Sequence, residues 1–122
     1  MTAHSVLDQR IWEDLRALGG SEADALILEL ITMYLEDAPL QLEAIREAAR
    51  QSDRRALAFH AHALRSPSAS LGALGLAEAC ACLEAGASSA SAVFSLESPL
   101  VQAVLGEAER VVQELTSRSR EL

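Results

Sequence analysis

His62 and Arg65 are the residues of this chain whose types and spacing could do chemistry together. They stand three positions apart, so on a helix they share one face, about one turn from each other. A neutral imidazole is a good nucleophile near pH 7, because its unperturbed pKa is about 6.5. A ring nitrogen can attack phosphorus without an elaborate cavity if a partner supplies positioning and a metal ion. A guanidinium one turn further on can pair with phosphate oxygens. A single histidine on a helix face is more often a solvated residue than a reactive one, so its neighbours decide the reading.

Those neighbours are unusual. At about 100° per residue, Leu57, His60, Ala61, Leu64, Ser68 and Leu71 gather on the side away from His62 and form a core stripe. Arg55, Ala58, His62, Arg65, Ser66 and Ala69 form the opposite stripe, flanked by Phe59, Ala63 and Ser70. A solvated helix face ordinarily carries Glu, Lys and Gln. This one carries an imidazole, two guanidiniums and several very small side chains. Ala58, Ser66 and Ala69 leave room for another protein's backbone, and Phe59 adds apolar area at the rim. Arg55, Ala58, Phe59, Ser66 and Ala69 are therefore the candidate docking residues. His60, beside the core stripe, reads as a half-buried packing residue, and His4 is given no role.

The elements that must position this face are helical. Half of the 122 residues are hydrophobic, yet only four are Phe, Trp or Tyr. Alanine and leucine dominate and β-branched residues are sparse, which favours helices. Apolar spacing predicts a first helix over about Asp8 to Leu18, ended by Gly19-Gly20. A capping box at Ser21-Glu22-Ala23-Asp24 opens a second through Leu26, Leu30, Met33 and Tyr34. Asp37-Ala38-Pro39 marks a third, carrying Leu42, Ile45 and Ala49. Ser52-Asp53 caps a fourth from near Arg54, carrying His62. A fifth covers Leu74 to about Ala85, with Leu76, Cys80 and Leu83 inward. Residues Gly86 to Ser95 read as a loop. Ser98-Pro99 opens the last helix, striped by Val101, Val104, Leu105, Ala108, Val112 and Leu115, with a fraying tail from Ser117. The expected fold is all-α: an up-and-down four-helix bundle with additional short N-terminal helix or helices, one domain over 1–122 with a core over about 8–116.

Composition excludes several function classes. Eighteen acidic against ten basic side chains give a net charge of −8. That argues against nucleic acid, whose phosphates need a basic face. No apolar run approaches the roughly 20 residues that span a bilayer. Residues Met1 to Ser5 show neither the basic nor the apolar region of a signal peptide. Cys80 and Cys82 would lie about 200° apart on a helix, which disfavours a disulfide or a shared metal. A reduced, cytoplasmic protein is expected, with no membrane partner. The acidic, aromatic-poor surface shows no dimer seam, so a monomer is expected.

With these residues in view, the chain resembles the histidine-containing phosphotransfer (HPt) domain family of two-component phosphorelays. His62-Ala63-Leu64-Arg65-Ser66-Pro67-Ser68-Ala69-Ser70-Leu71-Gly72-Ala73 resembles the family motif His-x-Leu-Lys-Gly-Ser-Ser-x-x-Leu-Gly-Ala. Leu76, Cys80, Leu83 and Glu84 match the Leu…Cys-x-x-Leu-Glu that follows it. Tyr34 to Pro39 and Ile45 to Ala48 resemble the approach to it, so the likeness runs from about Ile11 to Leu115. The resemblance implies a helical bundle with the phosphoacceptor histidine, His62, exposed midway along one helix, and a phosphoryl contact from Arg65. It implies partners too: a response-regulator receiver domain and a hybrid or other sensor histidine kinase. It implies no intrinsic cofactor, with Mg²⁺ on the partner receiver. Such domains are phosphocarriers that depend on a partner, not self-contained enzymes. No nucleophile–base pair, metal-ligand cluster or Gly-rich phosphate loop stands in the sequence to support an enzyme.

Three positions depart from the motif. The family's lysine is Arg65, planar and larger. Its glycine is Ser66, and Pro67 stands where a helix interior wants an N–H. That proline removes the bond to the Ala63 carbonyl at a cost of about 3 kcal/mol or more, and it biases Ser66 away from helical angles. The sequence therefore predicts a kink or an early end of the helix within a turn or so of His62. Two other readings stay open: an impaired HPt-like module that binds a receiver or kinase without efficient transfer, and an unrelated helical interaction domain. The second of these predicts that replacing His62 changes nothing.

Overall fold

The computed structural model describes residues 6–89 and 91–122. Met1 to Ser5, with His4, and Ala90 of the expected loop lie outside the described residues. The elements are α1 (Gln9–Gly19), a 3-10 turn (Gly20–Glu22), α2 (Ala23–Arg50), α3 (Arg54–Ser70), α4 (Leu74–Ala87) and α5 (Pro99–Glu121). Among the described residues there is no strand. Helices α2 to α5 pack each on the next, and α5 returns onto α2 to close the ring, with α1 laid against α2. Three-residue turns join α2 to α3 and α3 to α4, which makes those neighbours antiparallel. The fold is the expected all-α, up-and-down bundle with one short N-terminal helix. Every bundle helix feeds the core: Ile27, Ile31 and Ile45 from α2, Leu57 and Leu64 from α3, Leu76 and Leu83 from α4, Val101, Val104 and Leu115 from α5 are all buried.

Four local expectations are corrected. First, the second and third expected helices are one. Helix α2 runs for 28 residues with Pro39 in its interior. Its buried stripe, Ala23, Ile27, Ile31, Tyr34, Ala38, Leu42, Ile45 and Ala49, passes the proline without a break. Breaking it would expose several side chains worth about 1.5–3 kcal/mol each, more than the proline's cost of about 3 kcal/mol. Second, Ser21 is not a cap. The N-cap position falls on Glu22, near-helical at φ −99° and ψ 11°, with no side-chain cap bond. The 3-10 turn tightens this connection, and Asp24 pairs with Arg16 at 3.0 Å instead. Third, the tail is helical to Glu121. Arg118 pairs with Glu114 at 2.9 Å and stacks over Trp12, 4.8 Å from the ring centroid, which anchors it.

Fourth, α3 does not end early at Pro67 but continues to Ser70. Leu64 and Ser68, on either side of the proline, are both buried. The Trp12 Nε1–H donates to the Leu71 carbonyl at 2.8 Å just beyond. These contacts hold the helical path across the missing N–H. What ends α3 is the next turn, a Schellman motif. The Ala73 N–H donates to the Ser68 carbonyl at 2.8 Å and the Gly72 N–H to that of Ala69 at 2.9 Å, with Gly72 left-handed at φ +83°. The motif recurs after α2. There the Asp53 N–H reaches the Ala48 carbonyl at 2.8 Å, and Ser52 takes the left-handed position at φ +51°. Its hydroxyl accepts from the Phe94 N–H at 2.9 Å, offsetting strain of about 1–2 kcal/mol and tying the α4–α5 connection to this turn.

The Gly72 turn also holds α1, because the Asp8 N–H donates to the Gly72 carbonyl at 2.8 Å. A Cβ on Gly72 would lie 3.0 Å from the Asp8 backbone nitrogen. Gly72→Ala should therefore lower unfolding free energy by about 1–3 kcal/mol, from the left-handed angle plus the backbone contact. Urea denaturation of both forms measures it, and equal midpoints would contradict this account of the turn.

Candidate functional site

Helix α3 turns His62 outward by burying the other side. Leu57, Ala61, Leu64 and Ser68 are buried, while the His62 side chain is 69% exposed. Asp53 fixes the start of the helix, its carboxylate accepting from the Ala56 N–H at 3.1 Å. Ser68 fixes the inner face. Its hydroxyl donates to the Leu64 carbonyl at 2.7 Å and lies 2.8 Å from the Tyr34 hydroxyl. A serine hydroxyl has one hydrogen, so Tyr34 is the donor of the second bond. The expected core stripe is thus present down to its polar member. His60 is half-buried and its Nδ1 lies 2.7 Å from the Gln41 Oε1.

Arg65 lies on the same exposed face, and α4 brings a third charge to the pair. One oxygen of Glu84, Oε2, lies 3.0 Å from the His62 Nδ1, and Oε1 accepts from the Arg65 Nη1 at 3.1 Å. A carboxylate oxygen only accepts, so the bonded Nδ1 carries the hydrogen. In a neutral ring the other nitrogen, Nε2, then keeps its lone pair. Glu84 is half-buried and Arg65 about half exposed. Exposed pairs of this kind contribute about 0.2–1 kcal/mol, so the arrangement matters for ring orientation and tautomer more than for stability. In the sequence Glu84 stands only as the last residue of the Leu-Glu match, with no role attached. No spacing rule links residues 22 apart; only the packing of α4 on α3 does. Its position next to the inward Leu83 was the available signal, since one residue further round a helix lies at the edge of the packed face.

The five candidate docking residues line two shallow depressions that meet at His62. Arg55, Ala58 and Phe59 lie in one, with Glu84. Ser66, Ala69 and Arg65 lie in the other, where α4 adds Leu74, Ala77, Glu78 and Ala81. Phe59 is 68% exposed, its ring edge-on to His60 at 5.0 Å between centroids. The two cysteines are free, Cys80 buried and Cys82 exposed. Among the described residues no group of three or more His, Cys, Asp or Glu could hold a metal ion, and no helix is long and apolar enough to cross a membrane.

Two buried acids lie near this helix. Burial pushes the Tyr34 phenol from 10.0 up to about 12 and the Cys80 thiol from 9.0 up to about 12. Both hold their protons more tightly folded than unfolded, so their contribution is complete below about pH 9 and is lost as pH rises toward about 12. Unfolding free energy from urea titrations should fall across that alkaline window, and Tyr34→Phe should remove part of the fall. A Tyr34→Phe profile parallel to wild type would contradict the buried-phenol account.

Comparisons with known proteins agree with the geometry. The family model described as the Hpt domain matches residues 29–117. The fold is similar to that of histidine-containing phosphotransfer protein B (HptB) from Pseudomonas aeruginosa PAO1, with a TM-score of 0.79 and 22% identity, covering 98% of this chain and 99% of that one. No curated protein matches the chain by sequence.

Proposed function

The chain belongs to the Hpt domain family, and from that membership we propose that it is a phosphorelay carrier in which His62 accepts a phosphoryl group and exchanges it with the aspartate of a response-regulator receiver domain. The observation that carries this is the state of the His62 ring. It is exposed at mid-helix, its Nδ1 is tied to Glu84, and its Nε2 is free to attack. In the transfer the Nε2 lone pair forms the bond to phosphorus while the aspartyl P–O bond breaks in line. The receiver and its Mg²⁺ supply most of the electrostatic stabilisation. Arg65 steadies the phosphoryl oxygens. Arg55, Ala58, Phe59, Ser66 and Ala69 form the docking face, to which α4 adds Leu74 and Ala77. Among the described residues Arg55 forms no ion pair, and it stands available to a partner's acidic rim. A hybrid or other sensor histidine kinase is the upstream partner. Such a carrier works in the cytoplasm and turns over nothing by itself.

The impaired-module reading drew on the altered Arg65-Ser66-Pro67 segment, in which Pro67 was expected to kink or end the helix beside His62. With α3 continuous through Pro67, Arg65 remains on the His62 face, and that ground for reduced transfer falls away.

The test is transfer from receiver domains preloaded with labelled phosphate, in Mg²⁺. Label should appear on wild type and be absent from His62→Gln. Arg65→Ala should slow transfer by about ten- to a hundredfold, the worth of a charge-assisted contact of roughly 1.5–3 kcal/mol. Label retained by His62→Gln but lost from His60→Gln would assign the wrong histidine here. Receiver binding without label on any form would favour the docking-only module.

A further inference from the structure

A furrow of about 530 Å³ lies between α2 and α5. In the closed ring of helices this seam is across from the α3–α4 seam that carries His62. It shares no lining residue with the two depressions beside the imidazole. Its α5 wall is Gln102, Leu105, Gly106, Glu109, Val112 and Gln113. These fall at i, i+3, i+4, i+7, i+10 and i+11, the stripe one helix presents to another laid alongside. At 1.5 Å per residue the stripe runs for roughly 16 Å, about three turns. Its middle is open, because a Cβ on Gly106 would meet nothing within 4 Å.

The furrow carries one charge of each sign. Arg46 on the α2 wall is 41% exposed, with Glu43 of its own helix at 3.5 Å. Glu109 on the α5 wall is exposed and, among the described residues, forms no ion pair. We propose that the occupant is a second copy of this chain: the α5 helices of two copies lie antiparallel about a two-fold axis beside Gly106, and Arg46 of each copy meets Glu109 of its partner.

A two-fold interface uses one patch for both sides, so the patch must complement itself. A patch bearing Arg46 and Glu109 does so, and each copy satisfies both charges of the other. Antiparallel pairing also agrees with the order of the stripe. Gln102 and Gln113 stand equally far from its middle and come opposite each other as amide partners. Gly106 and Glu109 are likewise equidistant from the middle, so each Glu109 passes where the partner has no side chain. Two chains of net charge −8 repel at a distance, which makes opposite charges at the point of contact a requirement for pairing. Composition alone points to a monomer, because a furrow built by two helices has no signature in either one. Pairing through this seam leaves both His62 faces outward and free to dock.

Sedimentation equilibrium tests the pairing without receiver or kinase, so its outcome is independent of the carrier reading. Wild type should form dimers at concentrations on the order of 100 µM. Arg46→Glu sets like charges together at both contacts, and so does Glu109→Arg. Each should raise the dimer dissociation constant by at least about tenfold. The two variants mixed in equal amounts restore both opposite-charge contacts and should associate like wild type. Gly106→Leu fills the open middle and should also stay monomeric. Both charged side chains lie outside the core, and circular dichroism checks that each variant keeps its helix content. A wild type that remains monomeric, dimers insensitive to both reversals, or a mixture no better than either variant alone would each overturn the proposal and leave the furrow to another protein's helix.

Discussion

The packing of α3 against α4 is the constraint on which the site depends. A helix can bury only one side, and α3 buries Leu57, Ala61, Leu64 and Ser68. That choice alone turns His62 and Arg65 to solvent. The partner helix then supplies what α3 cannot. Helix α4 buries Leu76, Cys80 and Leu83 along the same seam, which leaves Glu84 at its edge with both oxygens against the exposed stripe. The seam is held at one end by the Gly72 turn, to which α1 is hydrogen-bonded through Asp8 and Trp12. The short N-terminal helix therefore steadies the helix pair that carries His62, Arg65 and Glu84, although none of its residues lines the depressions beside His62.

Two prolines show how far packing overrides local preference. Pro39 and Pro67 each remove one helical hydrogen bond, yet each lies inside an unbroken helix. In both cases buried residues continue in register on either side, Ala38 and Leu42 in α2, Leu64 and Ser68 in α3. The loss is local and of fixed size, whereas breaking the helix would forfeit burial along the rest of the stripe. For α3 the polar contacts of Ser68 with Leu64 and Tyr34 add to that register. The helix continues to Ser70, past the residues where the family motif is most altered.

The charges of the site contribute little to stability and much to the orientation and tautomer of the imidazole. Partly exposed ion pairs are screened, so the Glu84 contacts are not what holds α3 to α4; apolar burial is. What a carboxylate 3.0 Å from Nδ1 does determine is which nitrogen bears the hydrogen and which holds the lone pair. On a protein of net charge −8, this face sets Arg55 and Arg65 against Glu78 and Glu84 and next to exposed, apolar Phe59.

The sequence by itself determined the helix class, the core stripes and the exposed side of α3, because helical periodicity is a property of a single element. It also carried the motif that identified the family, centred on His62. It misplaced features wherever one element's fate is decided by another. The α2 break expected at Pro39, the cap at Ser21, the fraying tail and the early end at Pro67 were each read from local preferences that burial against neighbouring helices outweighed. The role of Glu84 lay beyond it for the same reason. Its carboxylate meets His62 and Arg65 across the gap between two helices, and a contact between residues 22 apart has no signature in either helix alone. Only the tertiary packing decided which acid would face the imidazole.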